Sequence, residues 1–271
     1  MKARRKRRRG SGDAWKTVLG SLLLLLAVGA GGVYAYFWVN APRIVISRET
    51  LCPQSGPRGI ATILIDTSDE LPEILKIQLE RRLMETALDN GPGTLIEVRT
   101  LISQPPYTKT HFKKCNPGNG SDLSELTANL ERVARRWRDD FQNPLKLAIQ
   151  QSLVSQTAPS SPIMQAIQRI SIENFLGKEL EKLPKKLIIS SDMIEHTNSY
   201  SQYSGDLAFD RYRKAAAYRT YQTDLTGVEI LVFYIRSRAI RDSNSHVNFW
   251  AQWFKDNHGK VKSFNAIQGQ L

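Results

Sequence analysis

The sequence is poor in the residues that most often bind transition metals or act as nucleophiles. It has 2 cysteines and 4 histidines in 271 residues. The histidines stand singly along the chain, at His111, His196, His246 and His258. Two cysteines exclude a cysteine-based zinc framework and a disulfide-dense scaffold. The chain has no glycine-rich phosphate loop with its lysine, no H-E-x-x-H and no G-x-S-x-G. Without a complete catalytic set, we expect a protein that is not an enzyme.

Positive charge is concentrated at one end of the chain. The formal net charge is +12, and residues 1–16 contribute +7 of it, with eight Lys or Arg side chains and Asp13. The other 255 residues carry 30 basic and 25 acidic side chains. Because nucleic-acid-binding domains spread basic residues over a surface, this distribution argues against a nucleic-acid partner. The Arg4–Arg9 cluster taken alone is also typical of nucleic-acid patches and nuclear addresses.

A long uncharged segment follows the basic tail. Residues 17–39 carry no formal charge and include five consecutive leucines, Leu22–Leu26. A helix of this length spans about 35 Å, enough to cross a hydrocarbon core of about 30 Å. The aromatic residues between Tyr34 and Trp38 suit the lipid–water boundary, and basic residues beside a span stay on the cytoplasmic side. We predict a single transmembrane helix with a cytoplasmic N-terminus; a cleaved signal peptide shares the basic start and apolar run.

A row of small side chains lies along one face of this predicted helix. Ala27, Gly31 and Ala35 recur every four residues, a spacing that lets a second helix approach closely within the membrane. The span is expected to contact the lipid bilayer, and we predict helix association through this row.

The rest of the chain predicts an α/β domain. We divide the protein into a basic cytoplasmic tail (1–16), a transmembrane helix (17–39), a tether (40–57) and an extracytoplasmic domain (58–271). Strand patterns at 60–65, 94–102, 186–190 and 228–235 alternate with helix patterns at 72–88, 123–141, 162–175, 207–221 and 243–257, whereas 103–120 has the composition of a loop. This alternation predicts a doubly wound, mostly parallel sheet with helices on both faces. The expected setting is a bacterial inner membrane, with the domain in the periplasm.

Three polar segments fall where ligands bind in such a sheet. Residues 66–70 (Asp-Thr-Ser-Asp-Glu) follow the first strand, Ser160 and Ser161 precede a helix, and residues 190–192 (Ser-Ser-Asp) follow a later strand. Loops at the carboxyl ends of parallel strands converge at one edge of the sheet. Carboxylates and hydroxyls arriving from separate loops are ligands that Mg²⁺ accepts. The sequence therefore predicts a divalent-metal site at this edge.

These segments resemble the metal-ion-dependent adhesion site of von Willebrand factor type A (vWA) domains. That site is written D-x-S-x-S, then a Thr before a helix, then an Asp after a later strand. Here the ligands implied by the resemblance are Asp66, Ser68, Ser161 and Asp192, with Glu70 as an additional ligand in place of the second Ser. The Gly that commonly follows the last Asp is Met193. The resemblance covers roughly residues 58–258 and implies a vWA/Rossmann-like fold with a degenerate site.

Two further features have structural and functional interpretations. Cys52 and Cys115 would both lie outside the cytoplasm, where we predict a disulfide, the alternative being two free thiols. The aromatic residues of 249–254 are either core or protein-binding anchors, and the polar stretch 197–206 is either a recognition loop or a solvated connection.

Three functions fit the sequence. The first is a membrane-anchored, non-enzymatic module that binds a protein partner in an envelope assembly, through a site that includes a divalent cation. The second is a metal-dependent hydrolase acting on an envelope substrate, with Asp66 and Asp192 holding the metal. The third is a structural subunit whose site is vestigial.

The predicted orientation has a direct test. Alkaline phosphatase fused after Leu271 should be active, because its disulfides form only outside the reducing cytoplasm. A reporter that works only in the cytoplasm, fused at the same position, should be silent. The opposite pair of results would reverse the predicted orientation.

Overall fold

The computed structural model describes residues 14–40, 45–123, 129–154 and 158–267, in two compact units that divide after Val45. Most of the predicted cytoplasmic tail, residues 1–13, lies outside the described part. The first unit contains one helix, α1 (Ala14–Asn40). Its segment Trp15–Phe37 has a mean hydropathy of 2.1 and buries none of its side chains within the protein. By length and composition this helix fits the single-pass anchor predicted from the sequence.

The second unit is built on a six-stranded sheet. Its strands are β1 (Gly59–Ile65), β2 (Thr94–Leu101), β3 (Thr108–Cys115), β4 (Lys185–Ser191), β5 (Val228–Ile235) and β6 (Lys260–Ile267). The spatial order is β3-β2-β1-β4-β5-β6, and every neighbouring pair is parallel except β2 with β3. The chain winds outward from the central β1 in both directions, so the sheet is doubly wound as predicted.

Helices cover both faces of the sheet. They are α2 (Glu73–Leu88), α3 (Leu130–Trp137), α4 (Asn143–Ser152), α5 (Ile163–Ile170), α6 (Phe209–Tyr212), α7 (Ala216–Thr220) and α8 (Ser243–Asp256), with π-helical turns at Arg138–Gln142 and Ser171–Phe175. Strand β1 is buried along its whole length. Its Ile60 and Leu64 pack on the side of α5 and α8, and its Ile63 and Ile65 pack on the side of α2 and α4. This double burial explains the unbroken apolar run of β1.

The structure corrects the prediction of a loop over residues 103–120. Residues 108–115 form the edge strand β3, antiparallel to β2, and β6 at the other edge was also not predicted. Both edge strands contain lysines and other polar residues and leave part of their side chains exposed to solvent. Their sequences therefore lack the continuous apolar run that identified the central strands.

The predicted helix at 123–141 is also revised. Among the described residues it begins at Leu130 and continues through a π-helical turn into α4 as far as Ser152. The predicted helix at 207–221 is two short helices, α6 and α7. The predicted helix at 243–257 matches α8, whose Trp250 and Trp253 are fully buried. These two tryptophans are core residues and not exposed anchors.

The segment that precedes β1 belongs to the second unit. Residues 46–57, which the sequence assigned to the tether, contain the buried Leu51 and the predicted disulfide between Cys52 and Cys115, with a Cα–Cα distance of 4.8 Å. Cys115 ends β3, opposite Leu95 near the start of β2. The disulfide therefore fastens this segment to the amino-terminal edge of the parallel strands.

Loss of the disulfide should lower stability without changing the fold. A bridge between residues 63 apart contributes about 4 kcal/mol in the chain-entropy model. We expect Cys52→Ser/Cys115→Ser to lower the urea midpoint of the full chain in mild detergent, followed by tryptophan fluorescence. Adding reductant should then leave the double variant unchanged but lower the midpoint of the wild type. A wild type insensitive to reductant, with both thiols open to alkylation, would contradict the bridge.

Candidate functional site

The candidate site lies where β1 and β4 end side by side. The two strands are parallel, and Ile65 at the end of β1 pairs with Ser190 of β4. One residue further on, the Asp66 amide donates to the Ser190 carbonyl at 2.9 Å. The polar residues that follow the two strands are thereby brought to one point, as the sequence predicted.

Three hydroxyl groups converge on the carboxylate of Asp66. Its Oδ1 accepts from the Ser68 hydroxyl at 2.8 Å and from the Ser68 amide at 3.1 Å. Its Oδ2 accepts from the hydroxyls of Ser191 at 2.8 Å and Ser161 at 3.2 Å. Asp66 is only 5% exposed. The carboxylate is therefore the centre of a polar cluster contributed by the loop after β1, the turn before α5 and the end of β4.

Ser161 is placed at this centre by backbone pairing with a distant loop. Its amide donates to the His196 carbonyl at 2.8 Å, and the His196 amide donates back to the Ser161 carbonyl at 3.0 Å. Pro162 follows, and α5 begins at Ile163. The proline restricts the backbone where the chain turns from this pairing into the helix, so the hydroxyl lies just before the helix start.

Asp192 brings a second carboxylate beside the first. Its Oδ1 accepts from the Ile194 amide at 2.9 Å. Burial, and after it the negative charge of Asp66, raise the pKa of Asp192 to about 8. The carboxylates of the buried Asp66 and the half-buried Asp192 repel each other when both are charged, and a divalent cation between them would remove that repulsion.

The donor set fits a magnesium ion better than a transition metal. Two carboxylates with serine hydroxyls are hard oxygen ligands, which Mg²⁺ accepts together with several waters. No group of three or more His, Cys, Asp or Glu side chains in the described ranges is arranged to hold a metal. A cation at this site would therefore depend on the hydroxyls of Ser68 and Ser161 as much as on Asp66 and Asp192. Glu70 is exposed, outside the cluster around Asp66.

Sequence reasoning missed two residues of the site. Ser191 was noted only as part of a polar segment, yet its hydroxyl donates to Asp66. Met193 has a left-handed backbone with φ of 63°, and its amide donates to the Ser191 hydroxyl at 2.7 Å. The backbone therefore adopts at Met193 a left-handed turn for which glycine is better suited, and a residue with a side chain is strained in this conformation. The Met193 side chain is fully buried. The position of Met193 directly after Asp192 was the feature of the sequence that could have indicated its role in the site.

Glu195 is a third missed residue, buried beneath the site. Its Oε2 accepts from the Met164 amide in the first turn of α5 at 2.8 Å, and its Oε1 has no described hydrogen-bond partner. The Glu195 amide donates to the side chain of the buried Gln202 at 2.9 Å. Burial raises the pKa of Glu195 to about 8, against the lowering effect of the α5 amides. Nothing in the local sequence distinguished this acid from a surface residue.

The segment 197–206 contacts the site through backbone pairing and a buried side chain, and is therefore not a freely solvated connection. His196 pairs with Ser201 through their backbones, and the Gln202 side chain is fully buried. Tyr203 remains 51% exposed and stacks edge-on against His196, with ring centroids 5.1 Å apart. Burial raises the pKa of Tyr203, and the negative charges of the site raise it as a second cause. An exposed aromatic side chain therefore stands close to the carboxylates.

An open cavity of about 710 Å³ borders the site. Asp66, Ser68 and Asp192 line one part of it, and the segment after β5, residues 235–238, lines another. Glu70 and Asp69 also lie on its wall. The cavity makes the carboxylates reachable from outside the domain, so a ligand can approach the candidate metal position.

The structure is similar to solved structures of vWA-domain proteins at low sequence identity. One is VWA2, the ArnB paralog of Sulfolobus acidocaldarius, with TM-score 0.43 and 14% identity over 78% of this chain and 41% of that chain. Two others are BatB from Bacteroides thetaiotaomicron, with TM-score 0.41 and 11% identity over 78% and 91%, and an aerotolerance-related membrane protein from Bacteroides fragilis, with TM-score 0.34 and 11% identity over 78% and 92%. The chain thus spans less than half of VWA2. No family model and no curated protein matches the sequence. The strand order of the sheet confirms the predicted doubly wound, mostly parallel α/β fold.

The buried Glu195 should make stability depend on pH. It keeps its proton to about pH 8 in the folded protein, against an ordinary pKa of 4.5. Between these pH values the folded state binds more protons than the unfolded state, so the free energy of unfolding should fall from about pH 5 to about pH 8. The raised pKa of Asp192 contributes to the fall in the same direction. We expect Glu195→Gln to remove the part of this pH dependence that Glu195 causes. The free energy of unfolding of the variant, relative to that of the wild type, should therefore rise by at most about 1.4 kcal/mol per pH unit.

The measurement is urea unfolding of the full chain in detergent between pH 5 and pH 8. Glu181→Gln, at an exposed acid, is the matched control and should follow the wild type at every pH. A constant offset between Glu195→Gln and wild type across this range would show that Glu195 is ionised in the folded protein.

Proposed function

We propose that this protein is a membrane-anchored, non-enzymatic binding module of an envelope assembly. Its domain recognises a protein partner through a divalent cation held by Asp66, Ser68, Ser161 and Asp192. The observation that carries this proposal is the convergence of three serine hydroxyls on the buried Asp66, beside Asp192 and open to a cavity. A cation bound there supplies a positive centre for a carboxylate of the partner.

The surroundings of the carboxylates support binding over catalysis. Among the described residues that line the cavity there is no His, Cys or Lys to act as base or nucleophile. The imidazole of His196 hydrogen-bonds to Ser201, and the buried His246 hydrogen-bonds to Tyr234 and Gln202. Burial lowers the pKa of His246 to about 4. These histidines are therefore engaged in the structure of the loop and core.

The anchor supports a role at a membrane. α1 offers an apolar span and a basic flank, so we place the domain outside the cytoplasm. The aerotolerance-related protein to which the structure is similar is described as a membrane protein, which agrees with a membrane-linked module. The row of Ala27, Gly31 and Ala35 remains our candidate for contact with a second helix in the bilayer.

Removing either charged ligand should abolish the response to metal. Mg²⁺ at about a hundred times its dissociation constant should stabilise the wild type by about 2.7 kcal/mol. Asp66→Asn and Asp192→Asn keep the size of the side chains and can still accept hydrogen bonds, so both should fold but lose this stabilisation. Thermal melts of the full chain in detergent, with Mg²⁺ or with chelator, give the measurement. Asp210→Asn, at an exposed acid on α6, should respond like wild type.

Capture of membrane proteins by the tagged full chain tests the binding role. Partners retained in Mg²⁺ should be released by chelator and should be absent with Asp66→Asn. If Mg²⁺ and Mn²⁺ leave the wild-type melt unmoved at millimolar concentrations, the cation bridge is wrong. The domain would then act as a structural subunit with a vestigial site.

A further inference from the structure

Two arginines stand at the rim of the cavity without a partner in the described chain. Arg236 follows the last residue of β5, and Arg238 lies two residues further on. Both are exposed, and neither forms an ion pair with any described carboxylate. Arg99 and Arg211, by contrast, are paired with Glu97 and Asp206. Two free guanidinium groups this close in sequence form a positive patch that suits an anion.

The arginine pair and the carboxylates line the same cavity. Asp66, Asp69, Glu70 and Asp192 are its acidic lining residues, and Arg236 and Arg238 are its basic ones. The remaining lining is largely apolar and comprises Leu71, Pro72, Leu75, Ile235 and Ile267. The same cavity thus contains a candidate cation position, an apolar surface and a pair of guanidinium groups. A complementary ligand needs carboxylates at two points and an apolar group between them.

We propose that this cavity binds an acidic segment of the partner protein. One of its carboxylates approaches the cation at Asp66 and Asp192, a second pairs with Arg236 and Arg238, and an apolar side chain between them packs against Leu75 and Ile235. This inference deepens the proposed function and rests on it for the first carboxylate. The arginine pair is a property of this chain's own loop after β5, and its binding role is testable independently of the metal.

The apolar lining favours a peptide over a phosphate-bearing ligand. Guanidinium groups bind phosphates and carboxylates alike, so the charges of Arg236 and Arg238 do not separate a lipid headgroup from an acidic side chain. A phosphate has no contact to make with Leu71, Leu75, Ile235 or Ile267, whereas a Leu or Ile flanked by acids buries apolar area there. Tyr203 and the arginines are residue types that dominate protein interfaces.

Peptide selection on the full-length protein in nanodiscs tests the proposal. A random heptapeptide phage library is panned in Mg²⁺ against wild type and against Arg236→Glu/Arg238→Glu. Wild type should enrich peptides with two acids flanking an apolar residue. The charge-reversed variant should lose the second acid or exchange it for Lys or Arg. A peptide selected on wild type should bind that variant about tenfold more weakly or worse, and high salt should weaken the wild-type complex.

Two controls separate this result from trivial ones. Arg219→Glu, at an exposed arginine on α7 that does not line the cavity, should bind the selected peptide within about twofold of wild type. The Arg236→Glu/Arg238→Glu variant should keep the Mg²⁺-dependent shift of the melt, since neither arginine is a proposed ligand of the ion. Loss of that shift would show damage to the metal site in place of a lost peptide contact.

The outcomes distinguish this inference from the proposed function. A wild type that is stabilised by Mg²⁺ but enriches no acidic peptides, or the same peptides as the charge-reversed variant, overturns the inference alone. A melt that ignores Mg²⁺, with acidic peptides still selected through the arginines, overturns the cation bridge alone. Binding to phosphatidylglycerol vesicles that requires both arginines, with no acidic peptide selected, would assign the pair to a lipid headgroup and also overturn the inference.

Discussion

A carboxylate withdrawn from water at the end of the central strand is the constraint on which this site depends. Asp66 follows a strand buried on both faces, and in the described chain no basic side chain forms an ion pair with it. A buried charge is tolerated only where hydrogen bonds or an ion compensate it. The hydroxyls of Ser68, Ser161 and Ser191 provide that compensation, from the loop after β1, the turn before α5 and the end of β4. The charge thus holds these three segments in one arrangement.

A second buried acid supports this arrangement from below. Glu195 accepts from the first turn of α5, the helix that begins just after Ser161, and its own amide is held by Gln202. The hydroxyl of Ser161 is thereby linked through the backbone of residues 195–202 to the polar core around His246. A change of charge at Glu195 would act on the start of α5 and so on the position of Ser161.

The disulfide and the candidate site lie at opposite edges of the sheet. The disulfide of Cys52 and Cys115 ties residues 46–57 to the edge where the parallel strands begin. The carboxylates, the cavity and the arginine pair lie at the edge where the strands end. The attachment of residues 46–57 and the candidate site therefore lie at opposite edges of one domain, which leaves the candidate site open.

The central strands and the first acids of the site were predictable from sequence because they rest on local patterns. β1 and β5 are predominantly apolar, α2 and α8 have helical periodicity, and the segment from Asp66 to Ser68 stands directly after a strand. The edge strands β3 and β6 were missed because part of their side chains is exposed to solvent, so the pattern that identifies a buried strand is absent from them.

By itself, the sequence determined the apolar span, the α/β alternation and the polar segment at residues 66–70, because each depends on neighbours along the chain. Only the tertiary structure decided that Ser191 also donates to Asp66 and that Glu195 is buried under α5. It likewise placed Arg236 and Arg238 on the same cavity as Asp192. These relations join residues from 31 to 125 positions apart, and their energies come from burial and charge in three dimensions that no local pattern encodes.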